Sequence, residues 1–261
     1  MRRLNLILFT LCAGLAVCAA NSPLDDKFDR LSDKIIRIEH MNQALRDRID
    51  SLAVQFESIV KRNYAQEALL AEYQQSDWTT IQRRQDGSVD FYRNWTEYKN
   101  GFGDAPHGEF FVGLQKLHEL TSQKPHELLI VLKDWDNDTR YAIYDKFEIG
   151  SEQEQYSLKD LGEYRGNAGD ALEYYKGSKF STLDVDNDED ENTNCAKLFK
   201  GGWWFKSCCL SDLNGPYLTE NYNIEDGVTW YDWRGLNYSL KFAEMKIRSK
   251  KNLKKKSIDV R

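Results

Sequence analysis

The hydrophobic pattern between residues 24 and 66 repeats every seven positions. Apolar side chains dominate two series of positions, a and d, and polar or charged side chains lie between them. The a series is Phe28, Ile35, Asn42, Ile49, Phe56 and Asn63, and the d series is Leu24, Leu31, Ile38, Leu45, Leu52, Ile59 and Gln66. This narrow stripe predicts a coiled coil over residues 21–75 and a homo-oligomer, dimer or trimer. The alternative is an amphipathic helix packed on its own domain.

A different pattern begins after residue 75. Alternating apolar and polar positions over residues 78–92, around Asp86-Gly87, predict a β-hairpin. Helical spacing over residues 110–120 predicts a helix, and two apolar runs, 127–133 and 141–149, predict strands joined by a turn. The chain beyond residue 150 is rich in loops, with short strands near its end. The predicted domain, residues 76–249, is therefore α+β with an antiparallel sheet and long loops.

The N-terminus has the features of a secretory signal peptide, residues 1–20. Arg2 and Arg3 precede an apolar run, residues 4–17, that is short for a membrane span, and small residues follow it. A membrane anchor is the alternative, and no later segment is apolar enough to span a membrane. We therefore expect a secreted, extracellular protein. Three sequons agree with that expectation and make Asn94, Asn137 and Asn237 candidate glycosylation sites.

Composition excludes some classes of function. The 261 residues include 36 Lys and Arg and 42 Asp and Glu, so the net charge of −6 gives no basic field for nucleic acid. No GxSxG, HExxH, Walker or GxGxxG motif occurs, so no enzyme is expected. Residues 250–261 form a basic tail, for which a solvated end is favoured over contact with an anionic surface.

An acidic loop is the first candidate site. Asp184, Asp186, Asp188 and Asp190 alternate along it, and carboxylates two residues apart can converge on one hard cation. The loop is no EF-hand, because Glu189 stands where that motif needs glycine. From spacing alone, a calcium site and a solvated acidic loop are equally good interpretations. Repulsion among so many carboxylates favours calcium.

An aromatic segment with three cysteines follows the acidic loop. After signal removal the chain keeps Cys195, Cys208 and Cys209, which allows one disulfide and leaves one cysteine free or intermolecular. Trp203 and Trp204 follow two glycines, so flat apolar walls can stand beside a close backbone approach. Such walls suit sugars or acetyl groups, although at least one tryptophan is expected in the core.

Several of these motifs together resemble the fibrinogen-related domains. The matching segments are residues 78–91, 95–103, 108–114, 180–182, 194–196, 213–215, 238–241 and 245–248. With the signal and the coil, the whole resembles ficolin-like, tachylectin-like or angiopoietin-like secreted proteins. The usual N-terminal subdomain of the family, with its own disulfide, is not recognisable before Trp78.

The resemblance implies a set of site residues. Calcium would be bound by the side chains of Asp186 and Asp188 and the carbonyls of Asp190 and Asn192. A Cys195–Cys208 disulfide and a cis peptide at Ser207–Cys208 are also implied.

The acetyl-group pocket of the family is only partly matched. Phe199 matches an aromatic position, Cys209 replaces a histidine, Ile224 and Glu225 replace an aromatic and a small residue, and Leu236 replaces a tyrosine. The predicted ligand wall is Phe199, Trp203 and Cys209, with Glu225 nearby.

These expectations combine into a secreted, oligomeric, calcium-dependent recognition protein of lectin type, which binds microbial glycans or acetylated groups in innate immunity. The alternative is an angiopoietin-like ligand or matrix-interaction protein that binds a protein receptor. A paralogue that has lost binding is a third possibility.

Overall fold

The computed structural model describes residues 23–74, 77–219 and 226–250. Backbone contacts divide the chain into two compact units, Met1–Ala71 and Glu72–Arg261. The proposed signal peptide, the tail beyond residue 250, Ile224 and Glu225 lie outside the described residues.

One helix, α1 (Pro23–Gln74), forms the N-terminal part. Proline at its first position fits helical geometry, since the missing N–H would have no partner in the first turn. The apolar a and d side chains from Phe28 to Ile59 are each between 49% and 73% exposed in the single chain. The described side chains from residue 26 to residue 59 are all exposed, so within that stretch the apolar stripe has no cover from its own chain. The predicted helix is confirmed, and its exposed seam is the geometry that a coiled coil requires.

The second unit is built on an antiparallel sheet of eight strands. The path runs β2-β3-β1-β10-β4-β5-β6, and β7 also pairs with β5. The strands are β1 (Thr79–Arg84), β2 (Phe102–Gly103), β3 (Phe110–Phe111), β4 (His126–Lys133), β5 (Thr139–Ile149), β6 (Leu158–Asp160), β7 (Tyr164–Gly166) and β10 (Phe242–Ser249). A two-stranded sheet pairs β8 (Ser211–Asp212) with β9 (Thr229–Trp230). The predicted α+β class with an antiparallel sheet and long loops is confirmed.

The second unit also contains short helices. They are α2 (Trp95–Asn100), α3 (Leu114–Gln123), α4 (Cys195–Leu198) and α5 (Tyr231–Arg234), with single 3₁₀ turns at Glu152–Glu154 and Glu173–Tyr175. Helix α3 packs on β5, where Ile149 N donates to Thr121 Oγ1 at 3.3 Å. The predicted strands on either side of the turn at residues 134–138 are confirmed as β4 and β5. There Asp138 N donates to Asp134 Oδ1 at 2.8 Å.

The predicted hairpin around Asp86-Gly87 is wrong. Strand β1 ends at Arg84, and its two neighbours are β10 and β3, so no returning strand follows the turn. Instead, the buried carboxylate of Glu109 accepts hydrogen bonds from the backbone of the turn. Its oxygens accept backbone N–H groups of Gln85 (2.7 Å), Asp86 (3.2 Å), Gly87 (3.1 Å) and Val89 (3.1 Å).

Arg84 lies beside this buried carboxylate and also contacts residues 213–215. Its guanidinium lies 3.6 Å from Glu109 Oε1 and over the Phe91 ring at 3.9 Å. Nη1 donates to the carbonyls of Leu213 (3.3 Å) and Gly215 (2.6 Å). A charged pair with almost no exposed surface therefore joins the 85–89 turn to residues 213–215.

Beneath the loops the core is largely aromatic. Trp203, Trp204, Trp230, Tyr98, Tyr144, Tyr156 and Tyr175 are all fully buried. The Tyr98 hydroxyl accepts from Gly202 N at 2.9 Å and donates to the Phe91 carbonyl at 2.7 Å. A Cβ at Gly202 would lie 2.5 Å from the Tyr98 ring, so position 202 admits only glycine without rearrangement.

We expect Glu109→Gln to lower the free energy of unfolding by about 2–4 kcal/mol, because the new amide would point N–H donors at backbone donors and leave Arg84 without its anion. Chemical denaturation of the purified chain measures this. Glu163→Gln, at an exposed position, is the matched control. A loss for Glu109→Gln no larger than that of the control would show that another contact holds the turn.

Candidate functional site

The acidic loop, residues 184–192, is organised by the carboxylate of Asp188. One oxygen, Oδ2, accepts the backbone N–H of Cys195 at 2.8 Å, and Oδ1 accepts that of Asp190 at 2.9 Å. Asp188 N in turn donates to Asp186 Oδ1 at 3.4 Å. Partial burial raises the pKa of the Asp188 carboxyl, and the adjacent Asp186 carboxylate raises it further. A second carboxylate beside the partly buried one of Asp188 makes this a favourable place for a divalent cation.

The rear of the loop is fixed to the core. Asn187 N donates to Ser181 Oγ at 3.0 Å, and its side-chain amide donates to the Phe180 carbonyl at 2.8 Å. Glu189 N donates to the Lys206 carbonyl at 2.8 Å. Ser181 itself forms an antiparallel bridge with Trp203. The loop therefore sits on the aromatic segment.

The four alternating aspartates do not converge as spacing suggested. Asp184 Oδ1 accepts from Trp95 N (2.9 Å) and Thr182 Oγ1 (2.8 Å), and Asp190 Oδ1 accepts the N–H groups of Asn192 and Thr193, both at 3.0 Å. Within the described residues no three acidic, His or Cys side chains group around one point. Asp186 and Asp188 remain as the carboxylate pair, so Asp190 and Asn192 are left with carbonyl oxygens as possible ligands.

The disulfide is formed by Cys195 and Cys208, with an S–S distance of 2.05 Å, and the Ser207–Cys208 peptide is cis, as predicted. Helix α4, capped by Asn194 Oδ1 accepting from Lys197 N at 2.8 Å, holds Cys195. The same Cys195 donates its N–H to Asp188. One residue thus ties the disulfide directly to the acidic loop.

Cys209 is a free, half-buried cysteine. Burial raises the pKa of its thiol, and the neighbouring Asp212 carboxylate raises it further. The thiol is therefore protonated at neutral pH and a poor nucleophile. Its predicted place in a ligand wall, like that of Glu225 outside the described residues, stays a prediction.

The aromatic wall differs from the prediction at Trp203. That side chain is fully buried, packed against Trp204 with ring centroids 5.2 Å apart, so it belongs to the core and presents no face to a ligand. The expected wall role of Trp203 is wrong. Phe199 lies at the end of α4, 7% exposed, and stacks on Phe205 at 5.8 Å. Phe199 therefore keeps only a small exposed surface.

Comparison with known proteins decides the family. The model of the family "Fibrinogen beta and gamma chains, C-terminal globular domain" matches residues 62–250. The chain belongs to this family.

Relatives of the fibrinogen-like domain share nearly half of its residues. Fibrinogen C domain-containing protein 1 of Homo sapiens is 46% identical over 177 residues, which are 66% of this chain and 38% of that protein. Angiopoietin-related protein 6 of Mus musculus is 46% identical over 186 residues, 69% of this chain and 40% of that protein. The chain spans about two fifths of the length of these relatives.

Solved fibrinogen-like structures agree. The fibrinogen-like globe domain of human ANGPTL6 gives a TM-score of 0.64 at 45% identity, covering 67% of this chain and 78% of that one. The lamprey fibrin D-dimer, complexed with the peptide ligand Gly-His-Arg-Pro-amide, gives 0.63 at 35% identity, covering 70% of this chain and 66% of that one. The matched family is not a family of enzymes. No helix among the described residues is both long and apolar enough to cross a membrane.

The candidate glycosylation sites of this fibrinogen-like chain differ in surroundings. Asn137 and Asn237 are exposed, and Asn137 lies at the tip of the β4–β5 turn with φ of 65°. Asn94 is the N-cap of α2, where its Oδ1 accepts from Glu97 N at 3.0 Å. That bond uses the oxygen and not the nitrogen to which a glycan attaches. All three remain predictions.

Sequence reasoning missed two polar groups beneath the site. The buried Tyr175 hydroxyl accepts from Ser211 N at 2.7 Å and donates to the Ser211 carbonyl at 2.9 Å. Asp212, on β8, is buried with Oδ1 accepting from Asn214 N at 2.8 Å and Oδ2 without a hydrogen-bond partner in the described structure. Neither residue has a local sequence signal, because burial depends on distant segments.

Burial raises the pKa of Asp212 to about 7, against the opposing influence of the Asn214 hydrogen bond and the Arg84 charge. The folded chain therefore binds this proton more tightly than the unfolded chain does. The contribution of this proton to the free energy of unfolding is fully present below about pH 4, where an unfolded aspartate is also protonated. The contribution is lost as pH rises through about 7.

We expect the free energy of unfolding of the wild type to fall, relative to that of Asp212→Asn, by about 2 kcal/mol between pH 5 and pH 8. Urea unfolding at both pH values measures the difference. Asp136→Asn, whose side chain is 82% exposed, should keep the pH dependence of the wild type. Equal pH dependence in the wild type and Asp212→Asn would show that Asp212 is ionised throughout this range.

Proposed function

We propose that the chain is a secreted, oligomeric, calcium-dependent recognition protein, whose fibrinogen-like head binds glycans or acetylated groups in innate immunity. The observation that supports it most is the Asp188 carboxylate, which joins the acidic loop to Cys195 and its disulfide. An ion held in this loop would order the small exposed surface of Phe199. Recognition outside the cell fits relatives named for angiopoietins, and the N-terminal signal pattern supports secretion.

The donor set of the loop fits calcium. The side chains of Asp186 and Asp188 and the carbonyls of Asp190 and Asn192 would hold the ion, all of them oxygen ligands. A bound calcium ion supplies the positive charge that offsets the repulsion between the two carboxylates. The chain's own contribution is rigidity, because Asn187 and Glu189 fasten the loop to the core.

Avidity is the proposed route to useful affinity. The exposed a and d seam of α1 would be covered by copies of itself, which would place two or three heads together. Joined heads bind a repetitive surface up to about 10²–10⁴ times more tightly than one head. A shallow site with a small exposed surface of Phe199 is then sufficient.

A protein receptor or matrix partner is the second candidate. Burial of Trp203 removes one expected wall of an acetyl-group pocket. A similar solved structure, the lamprey fibrin D-dimer, is complexed with a peptide. Both observations favour an angiopoietin-like ligand, in which the same face contacts a polypeptide.

Chromatography on N-acetylglucosamine resin separates the two candidates. The full chain, shown to be folded, is loaded in calcium and challenged in separate runs with free N-acetylglucosamine, free glucose and a chelator. We expect elution by the acetylated sugar and by the chelator but not by glucose. Absence of retention would reject the lectin proposal in favour of a protein partner.

We expect calcium to raise the melting temperature of the wild type by about 5 °C at a concentration near 100 times its dissociation constant. Asp186→Asn should remove most of this rise, because it takes away one anionic ligand while keeping an acceptor for Asp188 N. Glu191→Gln, exposed in the same loop, is the matched control and should retain the rise. A full calcium response in Asp186→Asn would exclude Asp186 as a ligand.

We expect Leu52→Asp to dissociate the oligomer, because a carboxylate at a d position cannot be buried in the seam. Val54→Asp introduces the same charge at an exposed apolar residue outside the seam and should leave the oligomer intact. Sedimentation equilibrium measures both. An unchanged mass for Leu52→Asp would show that α1 does not assemble through the a and d positions.

A further inference from the structure

A cleft of about 350 Å³ lies on the large sheet, where β4 ends and β5 and β10 begin. The strand register sets Phe242, Lys133 and Thr139 in one row across these three strands. Val131 is two residues before Lys133 and therefore lies on the same face of β4. The residues that line this β4–β10 cleft are Gln85, Val131, Lys133, Thr139, Lys241 and Phe242. None of them belongs to the acidic loop.

The walls of the cleft are fixed by backbone contacts. Lys241 N donates to the Lys133 carbonyl at 2.9 Å, which continues the pairing of β10 with β4. The Tyr217 hydroxyl lies 2.8 Å from the carbonyl oxygens of both Gln85 and Lys241. Gln85, in the turn after β1, is thereby held opposite the start of β10. The cleft is therefore part of the folded framework.

Two half-buried lysines of the cleft have no counter-ion. Lys133 and Lys241 take part in no ion pair within the described residues. Lys241 Nζ donates to Asn137 Oδ1 at 3.0 Å and lies 5.7 Å from the centre of the Trp135 ring. Because an ammonium group has three N–H donors, Lys241 keeps two for a ligand and Lys133 keeps three.

The other lysines on strands of this sheet are all paired with carboxylates. The pairs are Lys146 with Asp160 (2.7 Å), Lys159 with Glu154 (2.5 Å) and Lys246 with Glu244 (2.7 Å). The acidic residues next to the cleft in sequence, Asp86 and Asp138, do not line it, and Asp138 is paired with Arg140 at 2.9 Å. The lining therefore carries two positive charges and no negative charge.

This lining favours an anion attached to an apolar group. The two ammonium groups attract one negative charge, and the Thr139 hydroxyl offers a further donor. Val131 and Phe242 offer apolar surface beside these donors. A cleft of this volume is at the small end of the range for ligand sites. We propose that the β4–β10 cleft binds a carboxylate on a small apolar body, as a free acid or as the C-terminal residue of a polypeptide.

Fluorine NMR of the full chain at pH 7 tests this site, with 4-fluorophenylacetate as the probe and 4-fluorophenylacetamide as its neutral counterpart. We expect the acid to bind at least about 10-fold more tightly than the amide, because only the acid forms charge-assisted hydrogen bonds. Acetate, which has the charge without the apolar body, should not displace the probe at equal concentration.

Lys133→Gln and Lys241→Gln should each weaken binding of the acid about 3- to 10-fold, as expected for a half-exposed charge pair. Lys116→Gln removes an exposed lysine on α3 and should not weaken it. All chains carry Asn137→Gln, so that no glycan stands beside Lys241. An unchanged melting temperature in the lysine variants separates loss of the ligand contact from loss of the fold.

Acetyl-glycyl-4-fluorophenylalanine and its C-terminal amide distinguish the two sources of the carboxylate. Tighter binding of this peptide acid than of 4-fluorophenylacetate would assign the site to a polypeptide C-terminus, and the reverse order would assign it to a free acid. Absence of binding by both acids, equal binding of each acid and its amide, or undiminished binding by Lys133→Gln would overturn the proposal. None of these results depends on calcium or on retention by N-acetylglucosamine resin.

Discussion

A buried ion pair connects the 85–89 turn of the fibrinogen-like unit to residues 213–215. Glu109 has no exposed surface, yet it satisfies four backbone N–H groups of the 85–89 turn and lies beside the equally buried Arg84. Buried charges are tolerated only where hydrogen bonds replace water, and here backbone groups do so on both sides. Since Arg84, at the end of the interior strand β1, also donates to the carbonyls of Leu213 and Gly215, residues 213–215 take their position from the sheet.

The same principle recurs at smaller scale around the candidate site. Asp188 uses both carboxylate oxygens on backbone N–H groups, and Asn194 caps the short helix that holds Cys195. Tyr98 and Tyr175 each satisfy backbone groups of the loop segments that cross the core. Polar side chains thereby satisfy backbone groups of long loops that have no ladder of hydrogen bonds.

Local periodicity explains which elements could be predicted. Helix α1 and strands β4 and β5 follow from heptads and apolar runs, the alternating aspartates indicated the acidic loop, and the family resemblance indicated the disulfide. The hairpin prediction was wrong because the backbone of the turn is hydrogen-bonded to Glu109, which is distant in the sequence. Asp184 does not join the other carboxylates, because its Oδ1 accepts from Trp95 N at the start of α2, a residue distant in the sequence. Trp203 and Asp212 acquire their roles from burial, which depends on residues distant in the sequence.

Asp188 has two roles, and this has a thermodynamic consequence. Its carboxylate accepts from Cys195 N and is also a proposed calcium ligand. The proposed ion and the disulfide residue Cys195 share this carboxylate, and any coupling between two events at one group is reciprocal. If an intact disulfide at Cys195 strengthens the proposed binding of calcium, calcium must favour the intact disulfide by the same factor. The redox state of the disulfide and the calcium concentration would then act jointly on the loop.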